Sequence, residues 1–322
     1  MPKAIRIRET GGPEVMQYVD VEVGEPGPGE ARVRHHAVGL NYIDVYFRTG
    51  LYPQSMPAGL GMEGAGVVEA VGEGVAHVRP GDRVAYAGQP PGAYAEVRTM
   101  PASVLVKLPD AIDFDTGAAM MLKGMTVQYL LRRTFSVQPG QTILFHAAAG
   151  GVGLIAMQWA KALGATVIGT VGSDEKAELA RAHGCDHAIV YTRENFVERV
   201  REITGGQGVP VVYDSIGKDT FAGSLDCLAP FGLMVSFGNA SGPVPPVALT
   251  ALKGTLYLTR PSLMPYTARR EHLEQTAGEL IDMVARGTVK IRIDQRYPLA
   301  DAASAHRELE SRRTTGSTLL MP

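Results

Sequence analysis

Thr142-Ile143-Leu144-Phe145-His146-Ala147-Ala148-Ala149-Gly150-Gly151-Val152-Gly153 reads as a buried apolar strand that runs into a turn of small residues and then opens a helix. A turn of this kind lets a phosphate group reach backbone N–H groups at the positive end of the helix, because little side chain stands in the way. Gly150, Gly151 and Gly153 supply the space, and Ala149 and Val152 add intervening amides. In the pattern G-x-G-x-x-G the first position falls on Ala148, a residue held to negative φ, so the spacing predicts a slightly wider loop than the all-glycine form.

Downstream of Pro139-Gly140, apolar strands are expected at 142–145, 166–171, 187–190, 209–213 and 233–237. Helical spacing recurs between them at 153–163, 174–183, 193–204 and 218–228. Strands alternating with such helices demand a parallel sheet with right-handed crossovers, so the fold class is α/β, a Rossmann-type doubly wound sheet. A sixth strand at 255–258, Thr255-Leu256-Tyr257-Leu258, completes the set, and its unpaired edge is a candidate for joining a second copy.

Upstream the texture differs: short strand-like runs at 31–38, 66–71, 82–85 and 93–97, broken by Gly and Pro, predict a β-rich domain. After an amphipathic helix at 269–286 the tail returns to short strand-like pieces and is expected to rejoin that first domain. The division is therefore 1–122 with 261–322, and 123–260 for dinucleotide binding. A length of 322 residues agrees with two domains.

Cofactor choice turns on the end of the second strand, where an Asp or Glu would bind the ribose 2′-OH of NAD. Gly172-Ser173 stands there instead. Ser173 is able to donate to a 2′-phosphate and Lys176 to add charge, which favours NADPH, whereas Asp174 argues the other way. A second reading stays open, in which Ser173 only caps a helix, Asp174 is a first-turn acid and Lys176 a solvated charge.

The bulk numbers exclude several classes. Hydrophobic residues make up 45% and charged residues 20%, a globular balance, and the formal charge of -2 gives no global attraction to nucleic acid. No apolar run reaches membrane-spanning length, and the amino terminus has no secretory pattern. Two distant cysteines, Cys185 and Cys227, suit a reducing, cytoplasmic setting.

With these residues in view, the chain resembles the medium-chain dehydrogenase/reductase superfamily and, within it, the quinone oxidoreductase (ζ-crystallin-like) branch. The resemblance rests on Gly140-Gln141, Leu144, Ala148-Ala149-Gly150-Gly151, Gly153, Gln158 and Lys161 in the nucleotide region. It extends to Gly61-Met62-Glu63-Gly64-Ala65-Gly66-Val67-Val68, Val71-Gly72 and Gly81-Asp82-Arg83-Val84, and to Glu310-Ser311-Arg312 and Gly316-Ser317-Thr318-Leu319-Leu320 in the tail. It implies a GroES-like catalytic domain beside the Rossmann domain, an NADPH-dependent reduction of a quinone or conjugated carbonyl, and a homodimer.

By the same resemblance Asn41, Tyr46 and Tyr52 line the nicotinamide and substrate pocket, and Thr126, Tyr191, Phe237, Gly238 and Arg312 face the nucleotide. A plainer reading of Asn41 remains beside this one: an N-cap of a short helix with Asp44 at its third position, and Tyr46 a core residue. Tyr191 is equally readable as an ordinary strand-end aromatic, and Arg312 as a solvated charge. Asp44 is expected to orient its loop, Glu63, His35 and His36 to be structural, and Asp214 to line the cleft.

Zinc-dependent relatives carry Cys in G-x-C-x-x-D and His in G-H-E, where this chain has Asn41 and Met62. The expectation is therefore no metal, and so an acceptor that needs no Lewis acid, such as a quinone. An enoyl or alkenal reductase is the nearest alternative. A non-catalytic NADPH-binding protein, crystallin-like or RNA-binding, is the alternative of another class.

Overall fold

The computed structural model describes all 322 residues, which divide into two compact units. Unit 1 comprises residues 1–125, 264–285 and 291–322, and unit 2 comprises 126–263 and 286–290.

In chain order unit 1 begins with β1 (Lys3–Ile7), β2 (Gln17–Asp20), β3 (Glu30–Leu40), α1 (Tyr42–Thr49), β4 (Ala58–Gly59), β5 (Glu63–Val71), β6 (Arg83–Ala87), β7 (Val97–Pro101) and β8 (Val106–Lys107). Helix α2 (Phe114–Tyr129) follows. Unit 2 then runs β9 (Thr142–Phe145), α3 (Gly151–Ala162), β10 (Thr166–Val171), α4 (Asp174–Ala182), β11 (His187–Val190), α5 (Phe196–Ile203), β12 (Val209–Asp214), α6 (Phe221–Asp226), β13 (Leu228–Ser236) and β14 (Tyr257–Thr259). The tail carries α7 (Leu263–Thr267), α8 (Arg270–Ala285), β15 (Ile293–Pro298), α9 (Ala302–Glu310) and β16 (Ser317–Met321).

The sheet of unit 2 is wholly parallel, with strand order β11-β10-β9-β12-β13-β14. Its order reverses direction at β9, so the crevice beyond the carboxyl ends of β9 and β12 is the topological switch point where such sheets place ligands. Leu144, Ile168, Ile189, Val212 and Met234 form its buried core. Two contacts explain residues that carried the resemblance. Gln158 on α3 pins residue 290 by accepting from Lys290 N–H at 2.8 Å, and Lys161 pairs with Asp186 at 2.5 Å.

In unit 1 the long strand β3 is central: it pairs antiparallel with β5, β7 and β16. The register Leu319↔Gly39 joins the last strand of the chain to one of the first, which is why the tail belongs to this unit. Gly39 is obligatory in that strand, since a Cβ there would overlap the Ala118 carbonyl of α2 and the Glu63 carboxylate.

Several elements depart from the sequence reading. Residues 93–97 are mostly loop, with Ala95 in a single bridge to Ala4, and the strand begins at Val97. Helix α2 was not anticipated at all. Ala118, Ala119, Met120, Met121, Met125 and Val127 are all buried, so the helix is apolar on most sides and lacks the periodic stripe that marks a surface helix.

Candidate functional site

Unit 2 brings the glycine-rich loop, Ser173, Lys176, Tyr191, Phe237 and Gly238 to the carboxyl ends of its parallel strands. The loop after β9 turns on Ala147, whose φ of 56° lies in the left-handed region. The tight turn is thus made one residue before the position at which the glycine pattern places it. It is secured by Gly150 N–H on Ala147 O at 3.0 Å and Ala148 N–H on Thr170 O at 3.0 Å.

Helix α3 starts with Gly150 as N-cap, and its first i→i−4 bond is Leu154 N–H to Gly150 O at 2.9 Å. The amides of Gly151, Val152 and Gly153 therefore have no backbone acceptor, and they point out of the positive end of the helix. Gly153 has no room for a side chain, because a Cβ would overlap the Ala147 and Ala148 carbonyls, while one on Gly150 would stand 3.3 Å from Ala147 O. Free amides over a floor of glycines fit a pyrophosphate.

Beyond β10, Ser173 is the N-cap of α4, accepting from Lys176 N–H at 3.3 Å. The capping reading is thus realised, and the Ser173 hydroxyl also donates to the Glu175 carboxyl, which lowers that carboxyl's pKa. Part burial lowers the Lys176 ammonium below its ordinary value. Tyr191 lies over the end of β10: a Cβ on Gly172 would come within 2.9 Å of its hydroxyl, and Thr192 donates to Gly172 O at 3.3 Å. Phe237 stacks at 5.8 Å on Phe145, and Gly238 lies against Ser215 so closely that a Cβ would overlap the Ser215 carbonyl. Thr126 is half-buried on α2.

Asp214 is a buried hub. Its carboxylate accepts from Ile216 N–H (2.8 Å), Gly217 N–H (3.0 Å), Thr220 Oγ1 (2.7 Å) and Ser224 Oγ (3.1 Å), so it shapes the turn after β12 and has no capacity left for a ligand. His146, which the sequence reading passed over, ties Thr170 (2.8 Å) to Ser224 (3.0 Å), and burial lowers its pKa.

Unit 1 gathers Asn41, Tyr46, Tyr52 and Arg312 around α1. Asn41 is the N-cap, in a capping box with Asp44, whose Oδ2 accepts Asn41 N–H at 2.9 Å. The Asn41 amide donates to Glu63 Oε2 at 2.7 Å and to Gly39 O at 3.4 Å, and its carbonyl oxygen accepts from the Asp44 N–H in the capping box, which leaves one lone pair of that oxygen to offer. Tyr42, Tyr46, Tyr52 and Phe47 form a run of ring contacts 5.2–5.7 Å apart. Arg312 takes a left-handed backbone (φ 61°), and its charge reaches the Tyr42 phenol.

Behind Asn41 stands a cluster that the sequence did not reveal. Glu63 is fully buried and accepts from Asn41, from Leu122 N–H at 2.8 Å and from the Lys123 ammonium at 3.2 Å. A divalent cation does not fit this donor set. Asn41 and Met62 are poor ligands for such an ion, and Glu63 already accepts from Asn41, Leu122 N–H and the buried Lys123 ammonium.

Asp44 completes the unit. Burial pushes its pKa up to about 7, against the Asn41 amide and Tyr94 hydroxyl that favour its charged form. Oδ2 takes both of those bonds and Oδ1 has no partner, a half-satisfied carboxyl whose ionised form is costly. Tyr94 also meets His306 Nε2 at 3.0 Å, and His306 Nδ1 accepts from the buried Arg48 at 3.1 Å. Arg48 is gripped by both Glu310 oxygens, at 2.9 and 2.8 Å.

Known proteins are similar to this chain along its whole length. A zinc-binding dehydrogenase family model matches residues 151–285, and an alcohol dehydrogenase GroES-like domain model matches 27–110. A quinone oxidoreductase of Pseudomonas aeruginosa is 58% identical over 325 residues, covering 100% of both chains. A 2-haloacrylate reductase from Burkholderia sp is 46% identical over 332 residues, covering 100% of this chain and 99% of the relative. The crystal structure of Escherichia coli quinone oxidoreductase complexed with NADPH superposes with a TM-score of 0.98 at 52% identity, covering 99% of this chain and 100% of that one.

Proposed function

We propose that this chain, which belongs to the quinone oxidoreductase branch of the medium-chain dehydrogenase/reductase superfamily, is an NADPH-dependent quinone reductase. The observation that carries the reading is the start of α3. There, three amides without a backbone acceptor stand beside Gly153, which admits no Cβ, with Ser173 and Lys176 after the neighbouring strand and Tyr191 after the one beyond it. Ala149, Gly150, Gly151, Val152 and Gly153 hold the pyrophosphate, Ser173, Lys176 and Tyr191 the adenosine 2′-phosphate, and Thr126, Phe237, Gly238 and Arg312 further parts of the nucleotide.

When bound, NADPH supplies a hydride. Asn41 is fixed by Asp44 and Glu63 so that the lone pair of its carbonyl oxygen left by the capping box orients what binds there, and the Tyr46 and Tyr52 rings offer flat apolar surface to a flat acceptor. A quinone suits this apparatus because it is already electrophilic and asks for orientation more than for acid strength.

The test is titration with NADPH and NADH followed by turnover on 1,4-naphthoquinone. The expected result is tighter NADPH binding and rapid oxidation by the quinone. The likeness to a 2-haloacrylate reductase supports a second reading, reduction of an activated carbon–carbon double bond. Faster turnover on a 2-alkenal than on the quinone would select it, and tight NADPH binding without turnover on either would select a non-catalytic role.

The same reading includes a homodimer formed through the edge at Thr255–Leu258, where Tyr257 and Leu258 are exposed on the last strand of the sheet. It also includes a cytoplasmic setting, supported by two free, buried thiols whose pKa values burial raises to about 11 (Cys185) and about 12 (Cys227). No helix is long and apolar enough to cross a membrane.

A further inference from the structure

Asp174 is the first residue of α4, directly after Ser173, at the strand end where a dinucleotide sheet meets the adenosine ribose. A bare carboxylate there favours a 2′-hydroxyl and repels a 2′-phosphate. Asp174 is not bare. Both of its oxygens are held by the Arg193 guanidinium, at 2.5 Å each, and this pairing keeps the carboxyl below its usual range.

The partner comes from a neighbouring strand. Arg193 follows β11 by three residues, and its N–H donates to Val190 O at 3.1 Å. The same short turn carries Tyr191 and Thr192 over Gly172. One strand-end turn therefore delivers the aromatic ring and the cation together to the start of α4.

The charge balance depends on that delivery. Asp174 and Glu175 stand in the first turn of α4, Lys176 follows them and Arg181 acts on Asp174 from the last turn, yet Arg193 is the one cation that pairs directly with Asp174. The planar fork of Arg193 leaves the Asp174 carboxylate neutralised, while Glu175 is held by the Ser173 side chain.

We propose that Arg193 is a specificity-determining positioning residue: by chelating Asp174 it cancels the charge that would reject a 2′-phosphate, and so admits NADPH at a strand end that carries an acid. This assignment rests on the NADPH reading above. It acts through Asp174, without contact between Arg193 and the phosphate.

The experiment is calorimetric titration of the full-length protein with 2′,5′-ADP and with 5′-AMP, for wild type, R193Q, D174N and R193Q/D174N. Both partners are more than half exposed, so none of the substitutions threatens the fold. R193Q is expected to weaken 2′,5′-ADP about five- to tenfold and leave 5′-AMP within about twofold, with a loss that shrinks as salt is raised. The double variant is expected to return 2′,5′-ADP to within about threefold of wild type, because the acid that Arg193 screens is gone. A wild-type preference for 2′,5′-ADP that survives R193Q, or a double variant as weak as R193Q, would overturn the assignment alone. Absence of any preference in wild type would overturn the NADPH reading and this assignment with it.

Discussion

Arg48 and Asp44, one helical turn apart on α1, are joined by a directed line of hydrogen bonds that leaves the helix and returns to it. Arginine only donates, so His306 must accept at Nδ1 and carry its proton on Nε2. Tyr94 then receives at its oxygen and gives its own proton to Asp44. Burial, with Arg48 alongside, pushes the His306 pKa down to about 3, which keeps the ring neutral and the direction of the line fixed.

Asp44 predicts a specific pH dependence. Its folded pKa of about 7 lies above the ordinary carboxylate value, so the folded state holds this proton more tightly than the unfolded chain does. The resulting stability is complete below about pH 4 and is lost as the pH rises through about 7. Asp44→Asn removes the titration. Urea unfolding from pH 5 to 8 should therefore show wild type losing stability relative to D44N up to about pH 7 and no further change above it. A constant difference across that range would refute the assignment.

The buried pair Glu63–Lys123 predicts a large and reversible cost. Lys123→Met leaves Glu63 charged, fully buried and without its counterion, which should cost about 3–5 kcal/mol of unfolding free energy. Adding Glu63→Gln to that variant removes the stranded charge and should recover much of the loss. Denaturant midpoints for the single and double variants measure both effects, and a K123M protein as stable as wild type would show that the pair carries no weight.

Two glycines in the nucleotide loop should behave differently. Gly153→Ala gains helix propensity of about 1 kcal/mol, yet its methyl overlaps two backbone carbonyls that cannot step aside without opening the loop. Fluorescence titration should find NADPH binding at least about tenfold weaker, a loss of ~1.4 kcal/mol. Gly150→Ala, with 3.3 Å to its nearest neighbour, should lose far less. Equal losses at both positions would mean that the cradle is not the binding element.

The exposed edge gives the fourth prediction. Leu258→Lys places a charge on the last strand of the parallel sheet without touching the core, so it should convert a dimer to monomers in sedimentation velocity while the monomer stays folded. An unchanged sedimentation coefficient would overturn the proposal that this edge joins two copies.

The Rossmann unit was legible because its signals are local. Apolar runs such as 142–145 and 166–171 fall on strands, and the small-residue turn after Phe145 precedes a helix. Short-range spacing carries that information. The cluster behind Asn41 was not legible, because Glu63 and Lys123 are 60 residues apart and Lys123 sits on a helix without an amphipathic stripe. Arg193 was hidden for a similar reason: its partner lies 19 residues away, across two strand ends. Asn41 was readable in two ways, and the fold uses it as a cap, its carbonyl oxygen accepting the Asp44 N–H with one lone pair to spare.

Because β16 pairs with β3, the synthesis of this chain has a fixed timetable. A sheet whose central strand is Glu30–Leu40 waits for its neighbour at Ser317–Met321, and residues 126–263 can close around their own core in the interval. While the ribosome is still at work, one flank of β3 stands open to unwanted pairing. Loss of Ser317–Met321 would leave that flank open for good, and it should be felt by the β-rich unit before the nucleotide unit.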